Sequence, residues 1–569
     1  MAVTTNRPTR LAVLATLAAL LIAAGDSGSA PGFAVSALTC NPSNAPQPEV
    51  GAGSAVLAAT TVSTPDGDAT VGAAITIAQA VAHDAERGID YLAYFDASFT
   101  LTVSARSADG SWTTVHPRQP LSDASGTQVG WRRVTLPENA SDSHEELSLA
   151  LDSRGALHLA GAVHNQPMLY WRVSSPGDLG SLEFRTELAG TAKWGFLVAF
   201  GLENTVSYPR FFTGGDGSLH LIFRNGMTSA GNEYIYNYDP ATTTWSSATG
   251  LAPLWNGAES FTASPSAFGP YPTTPSWRDD ADGGAYHVAW VWRGNDARNS
   301  GLSYAWSRDL VSWFPVDRTP ANPGAPLTLP FQPAQPATLV DPGSFGGLVN
   351  GQIQLGFDYS NRIVITYPRN NARGETKLYA ARPSGPANGP ASVWRVSDLT
   401  ATANLSQNVT GDPTESYVSS WSGAQTLTSN TMWHTEPVSL EDGRLVVRYA
   451  CANPARGTVE SRMFRASDTG TSGVTFGRED VFDTRPALAR EITERDPATI
   501  RYSLATRTAA SDPFVLRGTD GWGQDHFGER VRLVMRWEAG PFVADNVWPA
   551  RSSYPAEGTL LRLFLVAAD

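Results

Sequence analysis

Lysine is nearly missing from this chain: Lys193 and Lys377 are the only two among 569 residues. Arginine therefore carries almost all of the positive charge. The formal net charge is −13, so the sequence has no broad basic footprint of the kind a nucleic-acid binder shows. An anionic ligand would have to be held by a local cluster of arginines. Cysteine is as scarce, with only Cys40 and Cys451, and neither has a Cys or His at metal-ligand spacing, which excludes a cysteine-built zinc module. The nine histidines are the remaining metal or proton-transfer candidates. P-loop, dinucleotide-fingerprint, His-Glu-x-x-His and Gly-x-Ser-x-Gly patterns are all absent, and with them the common signatures of nucleotide, zinc-protease and serine-hydrolase chemistry. Past residue 30 no apolar run is long enough to span a bilayer, and no amphipathic helix of useful length is legible.

The N-terminus reads as a targeting segment. Arg7 and Arg10 precede a continuous apolar stretch over 11–24, followed by small residues to position 30. A basic start, a short apolar centre and a small-residue end describe a secretory signal peptide over 1–30. A lipoprotein reading of Leu-Thr-Cys40 is disfavoured because Thr39 stands where a small Gly or Ala is usual. The mature protein is expected outside the cytoplasm, extracellular or periplasmic, with an N-terminal arm over 31–53 and no membrane partner. In that compartment a Cys40–Cys451 disulfide is expected.

Gly, at 52 residues, and Pro, at 39, punctuate short alternating or apolar runs, which is the signal for strands and turns. These runs repeat. Each unit opens on a Gly- or Asp-led turn and an apolar strand, then a Tyr- and Arg-rich strand, and closes on an aromatic. The equivalent heads are Tyr91, His158, His220, His287, Val364 and Val446. The closing aromatics are Trp112, Phe184, Trp245, Trp313, Trp394 and Phe476. A period of this size with about four short strands per unit is that of a β-propeller with long loops. The remaining strands at both chain ends can complete a seventh unit. The expected fold is all-β, one seven-bladed propeller over 54–569 closed by strands from both ends; two separate β-sandwiches would explain the repeat poorly.

Because His158, His220 and His287 recur at one repeat position, they are expected to be structural, packing and donating within their units. A zinc site from His220 and His287 would still lack a third ligand. His144 and His164 fall off the repeat. His144 lies in Asp142-Ser-His144-Glu-Glu and His164 in Val-His164-Asn165-Gln, before and after the second unit's strands. One unit later come Tyr208-Pro-Arg210-Phe and a strand ending Arg224-Asn-Gly. Two imidazoles, a phenol and a guanidinium from neighbouring units can line one cleft.

This combination resembles the long-BNR-repeat propellers that include the ulvan lyases. The resemblance rests on Asp142-Ser-His144, Asp152 through His158, His164-Asn165, Tyr208-Pro-Arg-Phe211 and Arg224-Asn-Gly. It continues through Tyr236-Asn-Tyr-Asp-Pro with Trp245, the segment from His287 to Arg293, and the segment from Leu302 to Trp313. It covers roughly residues 55–450. It implies a lyase site of His144, His164, Tyr208 and Arg224, with Asn165, Arg210, Tyr271 and Arg293 in substrate binding. No Cys accompanies His220 and His287, a departure that leaves a structural metal open, and the chemistry requires no cofactor.

Those residue types suit β-elimination at a uronic acid. A base takes the C5 proton, a cation neutralises the carboxylate, and an acid protonates the departing glycosidic oxygen. A guanidinium forks onto a carboxylate, which assigns Arg224 to neutralisation. A neutral imidazole is a suitable base near neutral pH, which gives His144 as base, Tyr208 as acid and His164 as a positioning group, with the His and Tyr roles exchangeable. Two other readings remain open. Asp142, Glu145 and Glu146 supply carboxylates for an exo-acting α-L-rhamnosidase-type hydrolase, and exposed aromatics suit a non-catalytic carbohydrate-binding propeller. In each case the expected partner is a polysaccharide, anionic for the lyase, and the protein is expected to act as a monomer.

Overall fold

The structure is a computed structural model. It describes most of residues 81–398 in side-chain detail, excluding 123–127, 136–146, 189–205, 258–267, 317–323, 343–352, 385–392 and several shorter stretches. Outside that span it describes only the backbone of strands between 59 and 71 and between 406 and 566. The targeting segment, Cys40 and His144 therefore lie outside the described residues, as does any test of the disulfide.

Strands form wherever the repeat places an alternating run, and they assemble locally. The first unit pairs Val81–Asp84, Ile89–Phe95, Leu101–Arg106 and Trp112–Val115 in simple sequential order. The second pairs Leu147–Leu151, Leu157–Gly161, Tyr170–Val173 and Leu182–Phe184. The third pairs Val206–Thr213, Leu219–Asn225, Asn232–Asp239 and Thr244–Ser247, with the short His164–Gln166 strand added at its inner edge. The fourth is built on Ala285–Gly294 and Asn299–Ser307, flanked by Phe268–Pro272 and by Trp313–Phe314. A fifth meander runs from Gln354–Phe357 to Val393–Asp398, and a sixth from Val438–Ser439 to Val474–Pro486. These two are joined by a parallel contact between Phe357 and Val438. Among the described residues the only helical turns are two three-residue 3-10 turns, and no helix is long and apolar enough to cross a membrane.

The repeat maps onto this order without slippage. Tyr91, His158, His220, His287, Val364 and Val446 all stand on the second strand of their sheets, and the six closing aromatics all stand on the fourth. The turn joining strands one and two shows why Asp and Gly lead each unit. Asp152 Oδ1 accepts from the backbone N–H groups of Arg154 and Ala156, each at 2.9 Å, and Gly155 takes the left-handed φ of 76° that lets the chain reverse. At the chain termini, Ala59–Val62, Thr70–Val71 and Leu533–Glu538 all pair with Thr559–Val566, so strands from both ends share one sheet.

The core lies between consecutive sheets. Leu149, Leu157, Leu159 and Trp171 of the second sheet pack with Tyr91, Phe95 and Val103 of the first. Phe211, Leu221 and Trp245 of the third pack with Ala160 and Tyr170 of the second. In a sequential antiparallel sheet the chain alternates direction. The connection from strand two to three and the connection from strand four to the next sheet therefore leave from the same end. His164, Asn165, Tyr208, Arg224 and Arg293 come from that end.

Candidate functional site

The site begins with a break in a strand. Ser207 pairs with Arg224 and Arg210 with Ile222, so the inner strand of the third sheet carries one more residue than its partner over this interval. This is a β-bulge. Pro209 suits it because it has no N–H to give to the ladder. Tyr208 absorbs the bend at φ 56°, in the left-handed region that a bulky side chain seldom occupies, at a cost of about 1–3 kcal/mol. Asn165 shares that conformation at φ 55°, in the short strand laid against Ser207. Tyr208 and His164, the residue before Asn165, bring a phenol and an imidazole together across these facing segments. The Tyr208 hydroxyl is 3.5 Å from His164 Nε2, and the rings are 5.6 Å apart.

Beneath them lies Arg224, near the end of the second strand and 1% exposed. Its Nη1 donates to the Tyr271 hydroxyl at 3.0 Å. Its Nη2 donates to Ser207 Oγ at 3.1 Å and to Asn165 Oδ1 at 3.3 Å. The guanidinium carbon stands 4.6 Å from the Tyr208 ring centroid and 5.7 Å from that of Tyr271. A Cβ on Gly231 would come within 2.6 and 2.7 Å of the Arg224 side-chain carbons, so only glycine there leaves room for the arginine stem. Asn165 and Ser207 are locked together in turn: the Asn165 backbone N–H donates to Ser207 Oγ at 2.8 Å.

All of these partners are neutral oxygens or π-faces. Among the described residues no carboxylate is in ion-pair contact with Arg224, and its Nε–H has no acceptor. The carboxyl nearest in register is Glu233, directly across the strand pair and 1% exposed. Burial pushes its pKa up to about 8, and the Arg210 and Arg224 guanidiniums pull it back only in part. Burial thus disfavours the charged form of Glu233, which makes it a weaker counter-ion for the arginine than an exposed carboxylate would be.

The structure thus brings together His164, Asn165, Tyr208, Arg224 and Tyr271. Arg293 stands half-buried at the edge, its guanidinium carbon 5.9 Å from the Tyr271 ring centroid. Arg210 lies deeper: it is 1% exposed, and its Nη1 donates to the Pro272 carbonyl at 3.1 Å. Two residues of the site were not singled out in the sequence, Ser207 and Glu233. Ser207 immediately precedes the Tyr-Pro bulge, and Glu233 is a buried acid near the start of the tyrosine-rich strand Asn232–Asp239.

The repeat-position histidines behave as structural groups. His158 is fully buried, with Nδ1 2.8 Å from the Tyr170 hydroxyl and Nε2 3.4 Å from Asp152. His220 Nε2 is 2.8 Å from the Tyr286 hydroxyl and its Nδ1 is 2.8 Å from Asn237 Oδ1, while burial lowers its pKa to about 4. His287 Nδ1 lies 2.7 Å from the Tyr304 hydroxyl. Among the described residues no group of three His, Cys, Asp or Glu side chains could hold a metal ion.

Successive four-stranded meanders, each headed by the same turn and closed by an aromatic, define an all-β repeat protein. The chain belongs to the BNR repeat-containing family, whose model matches residues 89–400. No curated protein matches it. Among solved structures it is similar to the polysaccharide lyase Uly1, at 13% identity and TM-score 0.46, over 87% of this chain and 91% of that one. It is also similar to the α-L-arabinofuranosidase Arb93A from Fusarium graminearum, at 10% identity and TM-score 0.32, over 79% and 97%. The endo-arabinase of Bacteroides thetaiotaomicron matches at 13% identity and TM-score 0.26, over 58% and 96%.

Proposed function

We propose that this protein is an exported polysaccharide lyase that cleaves a uronic-acid-containing, ulvan-like polymer by β-elimination. The observation that carries the reading is the state of Arg224: a buried guanidinium held in one orientation by Tyr271, Ser207 and Asn165, with no carboxylate partner among the described residues and an unused Nε–H. A buried cation without a counter-ion is costly unless a ligand supplies the anion. A uronate carboxylate supplies it.

In this reading Arg224 draws charge out of the carboxylate and so makes the C5 proton easier to remove. A base takes that proton, its electron pair forms the C4–C5 double bond, and the C4–O bond breaks. The departing oxygen takes a proton from the acid. The Tyr208 hydroxyl and His164 Nε2 are suited to these transfers by their proximity, with Tyr208 as acid. His144, the proposed base, precedes Leu147, where the second sheet's first strand begins at the site end. Asn165, Tyr271 and Arg293 bind the flanking sugar, and Arg210 supports them from below. The scaffold is proposed to close as one seven-bladed ring, with the sheet shared by both chain ends as its seventh blade. The protein is proposed to work outside the cytoplasm as a monomer.

A panel of uronic-acid polysaccharides tests this. The lyase reading predicts near-ultraviolet absorbance from unsaturated uronate ends on at least one of them. New reducing ends without that absorbance would make the protein a hydrolase, and retention on the polymer without cleavage would make it a binding module.

A further inference from the structure

A separate feature stands at the same end of the second sheet. Between the first and second sheets the chain makes an isolated two-stranded ribbon, Arg118–Ser122 paired with Gln128–Arg133. Its base is firmly seated. Trp171 Nε1 donates to the Arg118 carbonyl at 2.7 Å, the Val134 N–H to the Pro117 carbonyl at 3.4 Å, and Thr100 bridges Thr135. Its outer part is not covered. Trp131 is 52% exposed, its ring set edge-on to that of Phe184 with centroids 6.3 Å apart, and Val129 is 59% exposed.

The charges on this ribbon are unusual for so acidic a chain. Arg118, Arg132 and Arg133 are all exposed, and none forms an ion pair among the described residues. Arg118 and Arg133 are direct cross-strand partners, and the neighbouring pair on the same face is Pro120 and Trp131. Like charges placed directly opposite each other destabilise an antiparallel pair unless an anion lies between them. The ribbon therefore presents two facing guanidiniums beside an exposed indole. Sugar rings stack on an indole face, and carboxylates or sulfate esters take a guanidinium fork.

We infer that this ribbon is a docking surface for an anionic polysaccharide chain, which stacks on Trp131 and places its acidic groups between Arg118 and Arg133. Phe184 ends the fourth strand of the second sheet and Trp171 lies near the start of its third. The ribbon thus sits at the end of that sheet from which His164 and Asn165 project, where it can hold a polymer whose other residues occupy the cleft. The assignment of the polymer as a substrate rests on the lyase reading, but the binding itself does not.

The test is affinity electrophoresis of the full chain in gels containing ulvan, polygalacturonate or neutral dextran, with Trp131→Ala and the double variant Arg118→Gln/Arg133→Gln beside wild type. Wild type should be retarded by ulvan or polygalacturonate and not by dextran. Each variant should lose roughly fivefold to tenfold in affinity, a change near 1 kcal/mol. The double variant should melt no lower than wild type, because it removes a repulsion. With a cleavable polymer, both variants should lose rate on the polymer and keep it on a short oligosaccharide. Equal retardation of variants and wild type, retardation by dextran as strong as by the polyanions, or no retardation of wild type would each overturn the proposal. Loss of retardation in the variants without any cleavage by wild type would keep the ribbon and remove the lyase. Cleavage with unchanged retardation would do the reverse.

Discussion

The Tyr208 ring carries the Arg224 guanidinium at 4.6 Å from its centroid, while the hydroxyl of the same tyrosine reaches to 3.5 Å from His164 Nε2. One side chain thus joins the charge that would receive a carboxylate to the group that would exchange a proton. The left-handed backbone at Tyr208 makes both contacts available. An extended residue there would restore the regular ladder and swing the ring away.

Tyr208→Phe separates the two jobs. The ring and its contact with Arg224 remain, and only the hydroxyl is lost. Turnover should fall by roughly 10²–10⁴-fold with little change in melting temperature, if Tyr208 is the proton donor. Steady-state rates and thermal melts on the same preparation check this. A rate within a fewfold of wild type would remove Tyr208 from the chemistry.

His158→Ala should show the opposite pattern. His158 is buried against Tyr170 and Asp152 and packs its ring 4.6 Å from that of Tyr238, so removal leaves a cavity and an unpaired hydroxyl. The expected cost is about 2–4 kcal/mol of stability, with the rate per folded molecule kept. Denaturant unfolding and active-site-normalised kinetics distinguish the outcomes.

Glu233 gives the stability a pH dependence of known sign. Its carboxyl has a pKa of about 8 in the fold against an ordinary value of 4.5, so the folded state holds the proton more tightly. The contribution is full below the unfolded value and is lost as pH rises from there through about 8. Glu233→Gln keeps the neutral form at every pH. Wild type should lose melting temperature relative to this variant between pH 5 and pH 9. A constant gap between the two across that range would contradict a raised pKa.

His220 provides a second pH effect with the opposite sign. Burial holds its folded pKa near 4, below the ordinary 6.5, so its contribution is present above that value and lost as pH falls toward 4. His220→Asn should reduce the acid sensitivity of the melting temperature over that interval. Equal acid sensitivity in the two proteins would show that His220 is not the group being titrated.

Much of this architecture was legible in the sequence because strand periodicity and turn chemistry are local. Heads at the second strand and aromatics at the fourth follow from Asp–Gly turns and alternating burial, which neighbouring residues determine. His164, Asn165, Tyr208, Arg224 and Arg293 were legible as a set for a related reason: each stands near the end of a strand at the same end of its sheet. What could not be read depends on register. Ser207 meets Arg224 only because the bulge shifts the pairing by one residue, and Glu233 faces Arg224 only because the turn between their strands has the length it has. Neither quantity leaves a period in the sequence. The strain at Tyr208 was hidden as well, since a residue before proline ordinarily favours extended backbone.

The central claim is that Arg224 receives a substrate carboxylate in a fork that only a guanidinium can make. The most direct measurement is the initial rate of unsaturated-uronate absorbance on a uronic-acid polymer for wild type and Arg224→Lys, with thermal melts run on both. Lysine keeps the charge but not the two-pronged geometry, so the rate should fall by roughly 10²-fold or more while the variant remains folded. A folded Arg224→Lys protein that forms unsaturated ends at the wild-type rate would contradict the account.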